Sequence, residues 1–115
     1  MIELVQTYGK YLGRLGNQDT WRWQVKLEAD NPLQLELVES VIYTLPARLY
    51  EEPEREVTEA DTDFALNERS TGVFELKATV IMKAGCPLRL THKLTLFFPA
   101  VLSNQVYDAG VLIDL

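Results

Sequence analysis

Apolar and polar residues alternate with a two-residue period in three separate stretches of the chain. In "WRWQVKL", Trp21, Trp23, Val25 and Leu27 share one parity while Arg22, Gln24 and Lys26 share the other, the pattern of a strand with one buried face. In "VFELKATVIMK", Phe74, Leu76, Ala78, Val80 and Met82 point inward against Glu75, Lys77, Thr79 and Lys83. In "LRLTHKLTLFF", Leu88, Leu90, Leu94, Leu96 and Phe98 are set inward, and His92 falls on the same parity.

The segment "LQLELVESVIYTL" is less regular. Leu33, Leu35 and Leu37 fit one face and Val41, Tyr43 and Leu45 resume it, but Glu39 lies on that parity, so a bulge is expected there to keep the carboxylate out of the core. "IELVQTY" and the C-terminal "AGVLIDL" read as further strands. Turn-forming clusters separate these segments at "GRLGNQD", "ADNP" and "KAGCP", and no segment carries a convincing helical period. Short strands with regular turns in a chain of 115 residues predict one all-β domain spanning 1–115. The expected fold is an immunoglobulin-like β-sandwich of about seven to eight antiparallel strands, with a closed barrel as the alternative. The strand pattern breaks between Leu49 and Ser70, where Glu51, Glu52, Glu54, Glu56, Glu59, Asp61, Asp63 and Glu68 gather about half of the chain's acid.

Charge narrows the partners. The formal charge of −6 and the scattering of the eleven Lys and Arg residues argue against direct nucleic-acid binding. No apolar run approaches the ~20 residues of a membrane helix, and "MIELVQTYGK" lacks the form of a secretory signal, so a cytoplasmic protein without membrane contact is expected. The lone Cys86 fits a reducing compartment.

The residue types that chemistry relies on are scarce. "EADTD" offers Asp61 and Asp63 at alternate positions, but the glycine and the closing Glu of a calcium loop are missing at their offsets. One Cys and one His cannot supply a zinc site. Ser40, Ser70 and Ser103 lack a nucleophile elbow, and His92 is expected to be a hydrogen-bonded core residue. The glycines are too dispersed for a phosphate cradle. A protein that is not an enzyme, with no cofactor and no metal, is expected.

"WRWQVKLEADNPLQLELVESVIYTLPARLYEEPER" resembles the first half of a YEATS domain. Trp23, Val25 and Leu27 stand for the family's Trp-x-Val-x-aliphatic strand, Val41, Ile42 and Tyr43 for its second apolar strand, and Pro53 with Arg55 for its Pro-x-Arg closure. "TDFALNERSTGVFELKATVIMK" and "LRLTHKLTLF" continue the order, and with "TYGKYL" the resemblance runs from about Val5 to Phe98. It implies an eight-stranded immunoglobulin-like sandwich whose loops, at one end, hold an acylated lysine between two aromatic rings in eukaryotic members.

This chain departs from that pattern at the loops. The family's His, Ser or Thr, and Phe of the first loop align with Pro46, Arg48 and Leu49, and the aromatic of the second loop aligns with Thr71, with Phe74 retained. Because the first loop is one residue longer, Tyr50 falls near the first aromatic position. With both rings lost or displaced, acyl-lysine reading is not carried over; an acidic chain with no basic tail or nuclear targeting signal looks more like the prokaryotic members, and that resemblance implies a ligand-sensing or docking module. The expected function is recognition of a peptide or small ligand, or of a protein partner, through Pro46, Arg48, Leu49, Tyr50, Ser70, Thr71 and Gly72. The alternatives are an assembly module docking through a sheet edge or the apolar tail "PAVLSNQVYDAGVLIDL", or a divergent acyl-lysine reader.

Overall fold

The computed structural model describes residues 1–99. Among these residues, seven strands form two antiparallel sheets: β1 (Ile2–Leu15), β2 (Gln18–Ala29) and β5 (Leu66–Ser70) in one, and β4 (Glu54–Val57), β3 (Val38–Thr44), β6 (Glu75–Met82) and β7 (Leu88–Lys93) in the other. The expected all-β sandwich is the observed fold. The C-terminal strand expected at "AGVLIDL", and the tail around it, lie outside the described residues.

Of the three interior strands, β2 and β6 carry the strictest alternation. Trp21, Trp23, Val25 and Leu27 of β2 are fully buried, facing Val41 and Tyr43 of β3 and Leu76, Ala78 and Val80 of β6. Their intervening polar side chains face outward, so the sequence period and the sheet's two faces coincide. Two-residue turn geometry closes β1 onto β2: Gly16 and Asn17 both have positive φ, +61° and +70°, the combination that matches strand twist in a tight hairpin.

β1 does not keep one parity. Its register on β2 shifts between Gln6 and Tyr8 and again between Tyr11 and Gly13. The first shift makes Thr7 an extra residue, so Ile2, Leu4 and Gln6 face the second sheet before it, and Gly9 and Tyr11 do so after it. The Glu39 bulge expected from the sequence is present: β3 shifts register on β6 between Val38 and Ser40, Glu39 is exposed, and Ser40 and Val41 are both buried.

Three expectations are corrected. Leu33, Leu35 and Leu37 belong to a 3-10 turn (Pro32–Leu37), not a strand, because Asn31 caps its first amide and Pro32 starts it. Leu88 is exposed although its partner Val80 is fully buried, because β7 is the edge strand of its sheet. The acidic break from Leu49 to Ser70 contains β4 and β5; both are short, and their charged residues mask the period.

A tyrosine ties the crossing between the sheets. Asp63 and Phe64 both adopt left-handed backbone (φ +57° and +60°) after a short 3-10 turn (Ala60–Thr62). The buried Tyr43 hydroxyl donates to the Phe64 carbonyl at 2.6 Å, and Leu27 N–H donates to the Asp63 carbonyl at 3.0 Å. Burial raises the Tyr43 pKa above that of a free phenol, so the group stays a neutral donor. Tyr43→Phe is expected to lower stability by about 1–2 kcal/mol, because the Phe64 carbonyl loses its phenol donor. A urea midpoint shift with an unchanged slope would show this; no shift would mean that the carbonyl finds water.

The opposite seam is closed by Gln6. Its amide donates to the Thr95 carbonyl at 2.8 Å, and its Oε1 accepts from Thr95 N–H at 2.9 Å and contacts His92 Nε2 at 3.0 Å. With Oε1 so placed, Nε2 carries a hydrogen; His92 is hydrogen-bonded as expected but half-buried rather than in the core. Burial lowers the His92 pKa. The unfolded chain then takes up this proton at higher pH than the folded one. Stability from this group is complete above the ordinary value of ~6.5 and falls as pH drops from there through the lowered folded value. His92→Gln is expected to flatten that part of the stability profile; an unchanged profile would remove His92 as its source.

Candidate functional site

Two loops meet at one end of the sandwich. After Leu45, whose N–H donates to the Pro53 carbonyl at 2.8 Å, the chain leaves the β3–β4 ladder. Pro46 ends the strand, and the Leu49 N–H returns to the Pro46 carbonyl at 3.0 Å, forming a tight turn that exposes Arg48 and Leu49. Tyr50 then folds back against the domain. The second loop leaves β5 at Ser70 and enters β6 through Thr71, Gly72, Val73 and Phe74.

Tyr50 couples the two loops. Its hydroxyl donates to the Arg69 carbonyl, its ring lies edge-on to Phe74 with centroids 6.1 Å apart, and the Arg55 guanidinium sits 5.7 Å from its ring centroid. Arg55 is itself fixed by Glu68 at 2.6 Å and by the Glu52 carbonyl at 2.6 Å. Burial, helped by the Glu68 carboxylate and opposed by Arg55, raises the Tyr50 pKa, so the phenol stays protonated at neutral pH. One edge of Tyr50 and one face are thus already occupied.

Of the seven candidate residues, Arg48, Leu49, Tyr50, Ser70 and Thr71 line one cleft of about 300 Å³, together with Gln18, Thr20 and Arg69. Pro46 and Gly72 do not line it. Ser70 is buried, and its hydroxyl is used twice: it accepts from Trp23 Nε1 at 3.1 Å and donates to the Gly72 carbonyl at 2.9 Å. It therefore shapes the second loop from beneath. Arg48 and the Arg69 guanidinium make no hydrogen bond or ion pair among the described residues.

Gln18, Thr20 and Arg69 were not among the sequence candidates. The register of β2 on β5, which sets Trp21 opposite Ser70 and Arg22 opposite Arg69, brings the start of β2 under the loops. A linear pattern carries no such pairing. Among the described residues no group of three or more His, Cys, Asp and Glu side chains is placed to hold a metal, and no helix is long and apolar enough to cross a membrane.

Two antiparallel sheets with a loop-built cleft at one end make an immunoglobulin-like sandwich. The sequence model of the prokaryotic YEATS domain matches residues 21–95, and the chain belongs to that family. In structure it is similar to the Yaf9 YEATS domain recognising a succinylated histone H3 peptide, with a TM-score of 0.58 and 20% identity over 84% of this chain and 74% of that one. Comparison with curated proteins returned no match.

Proposed function

We propose that this domain is a recognition module without enzymatic activity that takes a peptide or small ligand in the cleft between Pro46–Tyr50 and Ser70–Gly72. The observation that carries this reading is that the Arg48 and Arg69 guanidiniums, without a partner among the described residues, stand at a cleft whose walls include Leu49, Tyr50 and Thr71. An unpaired guanidinium beside a half-buried ring and a hydroxyl can orient a ligand's acceptor group and cover its apolar part.

The cleft is a poor cage for an acyl amide. Such a cage needs two ring faces several ångströms apart, whereas Thr71 stands on one side and Tyr50 has its hydroxyl on Arg69 and Arg55 over its ring. Titration with acetyl- and crotonyl-lysine peptides at millimolar concentration is expected to leave the amide signals of Tyr50 and Thr71 unmoved. Saturable shifts there would restore the acyl-lysine reading. In affinity capture, the Arg48→Glu, Tyr50→Ala double variant is expected to lose the partner that the intact domain retains; an unchanged set of partners would remove this cleft as the contact site.

A further inference from the structure

The outer face of the three-stranded sheet carries a second feature, which shares only Arg69 with the cleft. Register places Lys10 opposite Arg22 and Arg22 opposite Arg69, so three cations lie in one row across β1, β2 and β5. Adjacent strands are ~4.8 Å apart, so the row spans roughly 10 Å. All three side chains are exposed, and none has a hydrogen bond or ion pair among the described residues. Like charges directly opposite across a sheet are unfavourable, and here two such pairs adjoin in a chain of net charge −6.

The rows beside it are organised differently. In the next row, Tyr8 Oη donates to Asn67 Oδ1 at 3.2 Å and Gln24 Nε2 donates to the same atom at 3.0 Å, which fixes a neutral polar platform. Lys26, one step further along β2, is neutralised by Asp63 at 3.5 Å. The nearest carboxylate on this face of β2 is Glu28, six residues along the strand from Arg22 and ~20 Å away. Polar neighbours are thus paired, while the three-cation row has no counter-charge among the described residues.

We propose that this row docks an acidic peptide segment, a run of Asp and Glu side chains on a partner protein. The row matches an extended acidic segment in sign and reach: side chains on one face of a strand recur every ~6.6 Å, so a run of four residues spans the row and sets two carboxylates against its three cations. Its value lies in steering and register more than in strength, because each exposed pair is screened by salt. The row ends at Arg69, beside the cleft, so a partner held there is delivered to the loop end. The surface stands whether or not the cleft takes a ligand.

The test uses the full chain and a fluorescent peptide of alternating Glu and Asp. Saturable anisotropy is expected at low salt, weakening between ~50 and ~200 mM salt as screening tightens. Lys10→Glu with Arg22→Glu, which leaves the cleft lining untouched, should reduce affinity about tenfold or more. Lys77→Glu with Arg89→Glu makes the same charge change on the outer face of the other sheet and should leave affinity within about twofold of the parent. The proposal is overturned by absence of saturable binding, by equal losses in the two double variants, by tighter binding of a single-stranded RNA of the same length, or by a doubling of mass showing that a second copy is the occupant. Both double variants are checked by thermal melting, and a folded Lys10, Arg22 variant that binds like the parent also overturns it.

Discussion

Trp23→Ala is expected to lower the unfolding free energy by about 3–5 kcal/mol. The indole is fully buried at the centre of the first sheet, and it meets Phe74 at 6.0 Å with the rings 72° apart. Removing it loses apolar burial and leaves a cavity that flanking β-strands, held in register on both sides, cannot close. It also strips the Ser70 hydroxyl of the N–H it accepts. Against the ~5–15 kcal/mol typical of a small domain, this is a large share of the total. Trp23→Phe separates the two contributions: it keeps most of the ring packing and is expected to cost less than half as much. Equal losses in the two variants, measured by urea unfolding, would show that the hydrogen bond rather than the packing dominates. The same pair of variants reaches the site, because Ser70 sets the path of Gly72; amide shifts confined to 70–74 are expected in Trp23→Phe.

That tryptophan also shows how much of the fold is legible in the chain. A strand buried on one face and central in its sheet must alternate, so Trp21 to Leu27 and Phe74 to Val80 declare both their structure and their inward face. Edge strands are under no such demand. β4 and β5 hide in an acidic stretch because Glu54, Glu56 and Asn67 face solvent, and four or five residues give too few repeats of the period to stand out. Leu33 to Leu37 fail for a different reason: apolar residues at alternate positions followed a proline and an N-capping Asn31, and the local capping chemistry decided the backbone.

The candidate site was legible in part because a loop announces its own residues. Pro46 and the Gly72 turn mark two breaks, and the fold brings them to one end. The walls supplied by Gln18, Thr20 and Arg69 follow from the register of β2 on β5, and the place of Lys10 beside Arg22 from the bulged register of β1 on β2, neither of which a short window of sequence specifies. Function at a sheet surface is written in pairs across strands, and a reading along the chain meets each member alone.

Gly9→Val is expected to be the second severe substitution, at about 2–3 kcal/mol. The Thr7 bulge turns Gly9 toward the second sheet, where the returning chain passes close against it. A Cβ built there would stand 3.0 Å from the Thr95 carbonyl oxygen, 3.0 Å from Gln6 Nε2 and 3.1 Å from a Leu96 methyl. The backbone oxygen cannot swing aside as a side chain can, so the segment carrying Thr95 must move. That movement breaks the two-way pairing of Gln6 with Thr95 and its contact with His92. It also displaces the Phe97 carbonyl, which accepts from Trp21 Nε1 at 2.9 Å, and the Phe98 ring packed 5.3 Å from Trp21. Gly13→Ala is the informative control. Gly13 has φ +99°, and a methyl group added to it would meet nothing within 4 Å, so its cost is backbone strain alone, about 1 kcal/mol. Gly9→Val should therefore combine a larger loss in urea with a red-shifted, more quenchable Trp21 emission, while Gly13→Ala leaves the emission as it was. Identical spectra for the two variants would show that the returning chain yields without releasing Trp21, and that the seam is held by Gln6 and not by the space that Gly9 leaves.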